Sequence, residues 1–315
     1  VLRCRSYCLL WSSASVCSTS RGLARICSAR KRGKVIILKK RSKQLVSFIR
    51  ILLIFCFLII VLFPFYWQFL TSLKPTREIA DISLVPNWKT ASLHAYHFIL
   101  TERPFLRYML NSLMVSLITT AISVLIACMA AYALARLKFK GRAIVLSCIL
   151  AISMFPNISM ISPIYMTISK IGLRNTWWGL IIPYLSFAMP LSVWYLTTFF
   201  GTIPYELEEA AKVDGCTPLQ ALVKVIIPLV IPGTFTTAIL IFIQAWNEYL
   251  FSLTINTDDL WRTVTVGITM FRGEYTMPWV EQAAAIVTVT LPVAIIVFLL
   301  QKHIISGLTS GAVKG

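Results

Sequence analysis

The sequence contains six apolar segments, each long enough to cross a lipid bilayer. A helix of about 20 apolar residues spans the hydrocarbon layer and satisfies its own backbone polar groups there. The mean hydropathy of +0.77 over 315 residues is too high for a soluble domain of this size. We therefore predict an all-α membrane protein with six transmembrane helices, at approximately residues 48–70, 111–135, 143–167, 177–200, 231–254 and 281–301.

The basic residues predict which side of the membrane each loop faces. The net charge is +18, and 13 of the 30 Lys and Arg residues lie within residues 1–50. If the six segments cross the membrane in alternation, one side carries 21 basic residues and the other carries nine. Because cytoplasmic loops are enriched in Lys and Arg, we predict that both termini are cytoplasmic. No nucleic-acid recognition motif accompanies the charge, which argues against binding to nucleic acid.

The N-terminal segment differs from the rest of the chain in composition. It is basic and lacks acidic residues, since the first acid of the chain is Glu78. Its cysteines match neither a disulfide framework nor a paired zinc motif. We predict a basic cytoplasmic tail over residues 1–44, of which residues 1 to about 34 are dispensable, followed by a six-helix domain over residues 45–315.

A short segment between the predicted fourth and fifth helices is unusually acidic. Three of the twelve acidic residues of the chain, Glu206, Glu208 and Glu209, fall within four residues of the stretch PYELEEAAKVDGCTP at residues 204–218. Pro204 suits the first position of a helix, where its missing N–H costs nothing. Acids in the first turn then complement the positive end of the helix dipole. The segment therefore predicts a helix.

Further signals give this segment a defined helix-turn-helix shape. Gly215 predicts the end of the first helix, because glycine readily adopts the left-handed conformation found there. Thr217, Pro218 and Gln220 form a capping-box pattern, which predicts a second helix that runs to Pro228. We therefore predict a structured cytoplasmic helix-turn-helix loop between the fourth and fifth membrane helices.

The spacing of residues in the first loop helix gives it a face that a partner could contact. At about 100° per residue, Leu207, Ala210 and Ala211 share one side. Alanine side chains allow a close approach, and Glu206 and Glu209 beside them can accept hydrogen bonds from Arg or Lys of a partner. The pattern fits a docking helix, and it also fits an amphipathic helix that lies on its own protein.

The same segment resembles the EAA motif in the permease subunits of binding-protein-dependent ABC importers. The matching residues are Glu209, Ala210, Ala211, Gly215 and the run Val225, Ile226, Ile227 and Pro228. The family pattern ends in Ile-x-Leu-Pro, so the chain departs from it at Val225 and Ile227, both conservatively in shape. The stretches FLRYMLNSLMVS, AAYALARLKFKGR, AWNEYLF and GLTSGAVKG are similar to the carbohydrate branch of this family, the MalG-like subunits. The resemblance covers about residues 45–315 and excludes the basic tail.

This resemblance implies a non-catalytic permease subunit in the plasma membrane of a bacterium. Such a subunit moves a carbohydrate, which we expect to be an oligosaccharide, into the cytoplasm by alternating access. The implied partners are a second, MalF-like permease subunit, two ATPase subunits that hydrolyse ATP, and an external solute-binding protein. No cofactor is implied.

The resemblance also implies roles for two groups of residues. The first loop helix would be the coupling helix that docks on an ATPase subunit. The coupling residues, with the proline that closes the motif, are Glu206, Glu209, Ala210, Ala211, Asp214, Gly215 and Pro228. In the maltose system the permease tail also reaches between the ATPase subunits, which implies an ATPase contact for a tail containing Gly307, Gly311 and Lys314.

Three polar residues near the outer end of the predicted fifth helix are candidates for the solute path. They are Gln244, Asn247 and Glu248. An ionisable group exposed to lipid costs about 3 kcal/mol or more, so a membrane carboxylate is a functional candidate. These residues could line a path or gate for a hydroxyl-rich solute, or they could hold the helices together through hydrogen bonds.

Two further motifs predict no additional site. His94 and His97 lie three residues apart, but no third ligand is in register with them, so we predict no metal site. The ending GLTSGAVKG lacks the spacing of a phosphate-binding loop and has no following helix, so the chain is not expected to bind ATP itself.

Two other functional classes stay open as alternatives. A secondary transporter driven by an ion gradient would need internal repeats and a relay of ionisable groups within the membrane. The sequence shows no convincing repeat, and Glu248 is the only ionisable residue near such a position. An intramembrane enzyme would need a catalytic constellation, and the three histidines and scattered acids form none. Uptake that survives loss of an ATPase but fails with an uncoupler would favour the secondary transporter.

Overall fold

The computed structural model describes residues 46–79, 82–85, 87–137, 139–271 and 278–312, with side chains of the last helix described up to Gln301. The predicted tail over residues 1–44 lies outside these described residues. The chain divides after Tyr66 into two units. The described part of the first unit belongs to one apolar helix, and both candidate sites lie within the second unit.

All regular elements of the described residues are helical. The helices are α1 (Val46–Leu73), α2 (His94–Thr101), α3 (Phe105–Arg136), α4 (Arg142–Ser153), α5 (Asn157–Lys170), α6 (Trp177–Thr202), α7 (Glu206–Val213), α8 (Pro218–Ala221), α9 (Ile227–Trp246), α10 (Leu250–Ile255), α11 (Val264–Thr269) and α12 (Trp279–Ala312). A π-helical turn over Leu222–Ile226 joins α8 to α9.

Length and composition identify the helices that can cross a membrane. Within the described residues, five helical stretches qualify, and the number is six if the bent pair α4 and α5 forms one span. The helices α1, α3, α6 and α12 cover the predicted segments 48–70, 111–135, 177–200 and 281–301. The chain is therefore a multi-pass membrane protein.

The predicted segment 143–167 is two helices rather than one. The axes of α4 and α5 differ by 89° across a short break. Pro156 precedes α5 with an extended ψ of 124°. Proline offers no N–H to continue the ladder of α4, and it disfavours helical geometry in the residue before it, here Phe155. The break therefore has a local cause, which the sequence analysis did not use to divide the segment.

The second loop helix does not end at Pro228, and that prediction was wrong. The helical stretch continues without interruption from Pro218 to Trp246. Within the π-helical turn before α9, the N–H of Ile227 bonds to the carbonyl of Leu222, five residues earlier. This wider turn accommodates the ring of Pro228, which would collide with a carbonyl in regular α-helical geometry.

The predicted segment 231–254 is displaced relative to the helix that forms. The stretch ends at Trp246, and residues 247–249 separate it from α10. The predicted segment and the observed helix therefore share residues 231–246, whereas residues 250–254 belong to the separate helix α10.

The helices α3, α6 and α9 form the centre of the second unit, where α3 packs along both of the others. Small residues permit this close packing: Ala127 and Ala131 are fully buried, and a side chain at Gly233 would collide with the ring of Phe199. The helix α3 ends beside α7, and α9 starts from that same end, so α9 runs antiparallel to α3. We call the two ends of this bundle the α7 end and the α10 end.

At the α10 end, residues 247–271 form a folded segment that we call the α10–α11 cap. It is tied to α3 by Asn111, whose amide donates to the carbonyls of Leu260 and Arg262, both at 2.9 Å. The indole N–H of Trp177 donates in turn to the side-chain oxygen of Asn111 at 3.0 Å. The hydroxyl of Ser112 accepts the N–H of Val264 at 2.9 Å. These bonds satisfy polar groups that lipid could not satisfy.

Candidate functional site

The short helix α7 is held in a fixed shape by bonds at its C-terminal end. Gly215 adopts φ of 83°, a left-handed value. The N–H of Cys216 bonds to the carbonyl of Ala211 at 2.9 Å, and the N–H of Gly215 bonds to the carbonyl of Lys212 at 3.0 Å. This pair of bonds is the Schellman motif. Gly215 therefore ends α7, as the sequence predicted.

The predicted capping box is present at the start of α8. The N–H of Thr217 donates to the side-chain oxygen of Gln220 at 2.9 Å, and the N–H of Gln220 donates to the Thr217 hydroxyl at 3.3 Å. Reciprocal bonds of this kind fix the direction in which a helix starts. The two helices are therefore joined by a turn with its own internal bonds. Pro228, the last residue of the EAA-like motif, is exposed near the start of α9.

The orientation of α7 divides its residues into two faces. Glu208 and Ala211 are each 7% exposed and contact the rest of the chain. The outward-facing members of the predicted coupling set are Glu206, Glu209, Ala210, Asp214 and Gly215. The predicted shared accessible face of Ala210 and Ala211 was wrong, because Ala211 is buried. Both faces of α7 carry a glutamate and an alanine, so the pattern could not show which face packs inward.

A polar cluster at the end of α3 holds the residues at the start of α7. The members of this cluster on α3 were not identified from the sequence. Arg136 is 5% exposed, and its Nη2 donates to the carbonyl of Ile203 at 2.7 Å. Its guanidinium lies 4.6 Å from the ring centre of Tyr205, whose hydroxyl donates to the carbonyl of Ala135 at 2.8 Å. The cluster therefore clamps the connection between α6 and α7 onto α3. A charged residue at the end of a long apolar segment was its signal in the sequence.

Glu208 completes this cluster from the side of α7. Its Oε1 accepts the hydroxyl of Tyr132 at 3.3 Å and pairs with the ammonium of Lys212 at 3.0 Å. Hydrogen bonding to Glu208 and its charge raise the pKa of Lys212 above the ordinary value. The favourable spacing of Glu208 and Lys212 along the helix was apparent in the sequence.

A cavity at the α10 end brings together the three predicted path residues. It has a volume of about 430 Å³ and lies between α6, the end of α9 and α10. Its lining includes Gln244, Asn247 and Glu248 together with aromatic side chains, among them Tyr184 and Phe187. Amide groups beside aromatic faces can bind a hydroxyl-rich solute.

The three path residues differ in how their side chains are bonded. Glu248 accepts the Tyr184 hydroxyl at 2.6 Å and the backbone N–H groups of Phe251 and Ser252 at 3.0 and 3.2 Å. Its carboxylate thus caps α10 and links it to α6. Asn247 is exposed and donates to the carbonyl of Ile243 in its own helix at 2.9 Å. Gln244 is exposed on the cavity wall.

The remaining predicted residues lie elsewhere. Gly307 and Gly311 lie within α12, whereas Lys314 is outside the described residues. His94 and His97 lie on α2, where a ring nitrogen of His97 contacts the Thr101 hydroxyl at 3.4 Å. Across the described residues, no three His, Cys, Asp or Glu side chains are grouped to hold a metal ion.

The described residues form the helical bundle of a multi-pass membrane protein. Residues 123–310 match the family described as binding-protein-dependent transport system inner membrane component. The chain belongs to this family of ABC importer permeases. It is a non-catalytic membrane subunit, and the ATPase is a separate subunit.

Curated relatives match most of the chain. It is 44% identical over 256 residues to the trehalose transport system permease protein SugB of Mycobacterium tuberculosis, covering 81% of this chain and 93% of that protein. It is 41% identical to the sulfoquinovosyl glycerol transport system permease protein SmoH of Agrobacterium fabrum, covering 81% and 89%. It is 40% identical to the trehalose/maltose transport system permease protein MalG of Thermococcus litoralis, covering 82% and 93%. These relatives confirm the resemblance to carbohydrate ABC importer permeases.

Solved structures share the fold. A chain of a bacterial ABC transporter involved in the import of the acidic polysaccharide alginate superposes with a TM-score of 0.70 at 22% identity, covering 83% of this chain and 97% of that chain. The bacterial alginate ABC transporter in complex with an alginate pentasaccharide-bound periplasmic protein gives a TM-score of 0.60 at 16% identity, covering 82% and 93%.

Proposed function

We propose that the chain is the membrane-spanning subunit of an ATP-driven importer that moves an oligosaccharide into the cytoplasm by alternating access. Relatives at 40–44% identity that are named for trehalose or maltose transport support the sugar class. The partners in this proposal are a second, MalF-like permease subunit, two ATPase subunits and an external solute-binding protein. The complex resides in a bacterial plasma membrane, with six spans and both termini in the cytoplasm.

The observation that carries this proposal is the presentation of α7. Glu206 and Glu209 are exposed on a helix whose C-terminal end is fixed by its own bonds, and neither forms an ion pair within the part of the chain that the structure describes. Exposed carboxylates on a rigid helix suit a partner that offers Arg or Lys. In our proposal the α7 end is cytoplasmic, and α7 is the coupling helix that docks on an ATPase subunit.

The rest of the predicted coupling set has supporting roles in this proposal. Ala210 allows close approach of the partner, and Asp214 and Gly215 form the exposed rim of the turn. Ala211 contributes from the buried side of α7, and Pro228 marks the start of the span that α7 moves. When the ATPase subunits close on ATP, α7 is displaced and the displacement passes to α3 and α9.

The cavity at the α10 end is our proposed stretch of the solute path or gate. Gln244 and Asn247 present amides that exchange hydrogen bonds with sugar hydroxyls, and neighbouring aromatic rings offer apolar faces. Glu248 forms the wall and keeps α10 in place through its three accepted bonds. A tail containing Gly307, Gly311 and Lys314 contacts the ATPase subunits.

Purification of the tagged chain from native membranes in mild detergent tests the docking proposal. We expect an ATPase and a second permease to co-purify with the original chain. Glu209→Lys places a like charge against the basic partner surface, and we expect it to reduce the amount of ATPase at least about ten-fold while the second permease remains. The matched control is Glu102→Lys, the same charge reversal at an exposed residue on the α10 end.

Two outcomes would overturn the proposal. If the second permease co-purifies with the original chain but an ATPase does not, α7 is not a docking helix. If Glu209→Lys and Glu102→Lys reduce the ATPase equally, charge alone is responsible and the face of α7 has no special role.

A further inference from the structure

Arg136 is a buried cation with unused hydrogen-bond donors. It is 5% exposed, and Nη2 donates to the carbonyl of Ile203. The other donor nitrogens, Nε and Nη1, are buried, and neither has a hydrogen-bond partner among the residues that the structure describes. Idle donors on a buried guanidinium are costly, so their presence calls for a physical reason.

Glu208, in turn, has an unused hydrogen-bond acceptor. It is 7% exposed, and both Tyr132 and Lys212 bond to the same oxygen, Oε1. The other oxygen, Oε2, is buried and also lacks a hydrogen-bond partner among the described residues. A carboxylate oxygen can accept two hydrogen bonds, so this acceptor is unused in the arrangement seen here.

The two residues with idle atoms both lie next to Tyr132 of α3. Tyr132 lies one turn before Arg136, so both side chains project from one face of that helix, and Glu208 already contacts Tyr132 there. Arg136 and Glu208 nevertheless form no ion pair in this structure. A charge-assisted hydrogen bond from Nε or Nη1 to Oε2 would join an idle donor to the idle acceptor.

We propose that Arg136 is a positioning residue that receives Glu208 in a second position of α7. In the position seen here, Glu208 pairs with Lys212. In the second position it exchanges Lys212 for Arg136, which ties α7 to α3 by a buried ion pair. This inference rests on the proposed function, because it requires α7 to be the helix that the ATPase displaces.

Breaking the ion pair between Lys212 and Glu208 costs little free energy for Lys212. The side chain of Lys212 is 48% exposed, so water solvates the ammonium when Glu208 leaves. Arg136 keeps its bond to Ile203 through Nη2, because the idle nitrogens are different atoms. A movement of α7 is then transmitted to α3, which packs along α6 and α9. The second position corresponds to the ATP-closed state of the complex.

A double-mutant cycle tests this pair in the complete complex. The measurement is the rate of ATP hydrolysis by the purified complex in lipid nanodiscs with MgATP. Arg136→Met and Glu208→Gln are each expected to lower the rate about ten-fold, and the double variant is expected to lower it no further. Glu208→Gln keeps the shape and the Tyr132 bond, so it reports on the pair even if Arg136→Met weakens folding.

Two controls separate positioning from general damage. Arg136→Lys keeps the charge but loses the fixed directions of the guanidinium donors, and we expect it to recover about half of the lost rate. Lys212→Met removes the partner of the resting position, and we expect it to change the rate less than about two-fold. The amount of co-purified ATPase measures assembly for every variant.

The outcomes distinguish this inference from the proposed function. Losses that multiply to about 100-fold in the double variant would show that the two residues act independently and would overturn the pair. Unchanged rates in both single variants with ATPase still bound would also overturn it, while leaving the docking role of α7 intact. Absence of ATPase from the unaltered complex would instead reject the proposed function itself.

Discussion

The α10–α11 cap and the loop around α7 both interrupt the apolar bundle, and they lie at opposite ends of α9. The cap is held by buried polar groups: Asn111 and Ser112 of α3 bond to its backbone, and Ser252 bonds to Thr263 within it. Around α7, acidic side chains on the outer face, Glu206 and Glu209, are exposed. The cap uses its polarity to hold the fold, whereas the outer face of α7 keeps its polarity available to a partner.

This comparison predicts that the largest loss of stability comes from Asn111. Replacement by Leu leaves the carbonyl of Arg262 and the indole N–H of Trp177 without this partner, and the two orphaned groups cost about 3 kcal/mol in total. The carbonyl of Leu260 keeps the Arg107 guanidinium as a donor. We expect the Tm of the purified chain in detergent to fall accordingly. The control is Asn247→Leu, because the Asn247 amide bonds within its own helix. Equal Tm values for the two variants would show that the cap is not held by Asn111.

Substitutions at two glycines test the same comparison, and we expect them to lower the stability less. Gly267 in the cap lies against the ring of Tyr108, and an added side chain would collide with it. Gly215 has no neighbour within 4 Å of an added Cβ, but its φ is 83°. We expect Gly267→Val to cost about 2 kcal/mol from overpacking and Gly215→Ala to cost about 1 kcal/mol from backbone strain.

The identity of the replacement distinguishes these two causes. Asparagine tolerates the left-handed conformation better than alanine, so at Gly215 the Asn variant should unfold at a higher Tm than the Ala variant. At Gly267 the order should reverse, because the site restricts volume. The same order at both positions would mean that the two glycines are required for one and the same reason.

The smallest expected effect comes from the ion pair between Lys212 and Glu208. The pKa of Lys212 is raised by its hydrogen bond to Glu208, so protonation of the ammonium favours the folded state. This contribution is fully present at neutral pH and is lost as the pH rises through the raised pKa. We expect a slight Tm difference between the original chain and Lys212→Met, constant from about pH 7 to 9 and disappearing in strong alkali.

Salt provides the control for this last prediction. Because Lys212 is exposed, about 1 M salt should screen the pair and reduce the difference at neutral pH. A Tm difference that grows with pH would have the wrong sign and would contradict the assignment.

Much of the α7 loop could be predicted from the sequence because its signals are local. The Schellman turn at Gly215 and the capping box from Thr217 to Gln220 each involve residues only a few positions apart. The cap was less accessible to such reasoning, because Asn111 bonds to carbonyls 149 and 151 residues away. In the sequence, Asn111 is simply one polar residue within an apolar segment.

The sequence by itself determined the approximate positions of the apolar segments, the helix-turn-helix signals and the family resemblance. These depend on composition and on short-range spacing, which packing does not change. Tertiary structure decided that Glu208 and Ala211 are buried, and Tyr132 near the end of α3 bonds to Glu208 on that side. It also placed Arg136 beside the residues that lead into α7, and it made Glu248 the cap of α10. Each of these depends on which distant helix supplies the partner, and a pattern along one helix cannot contain that information.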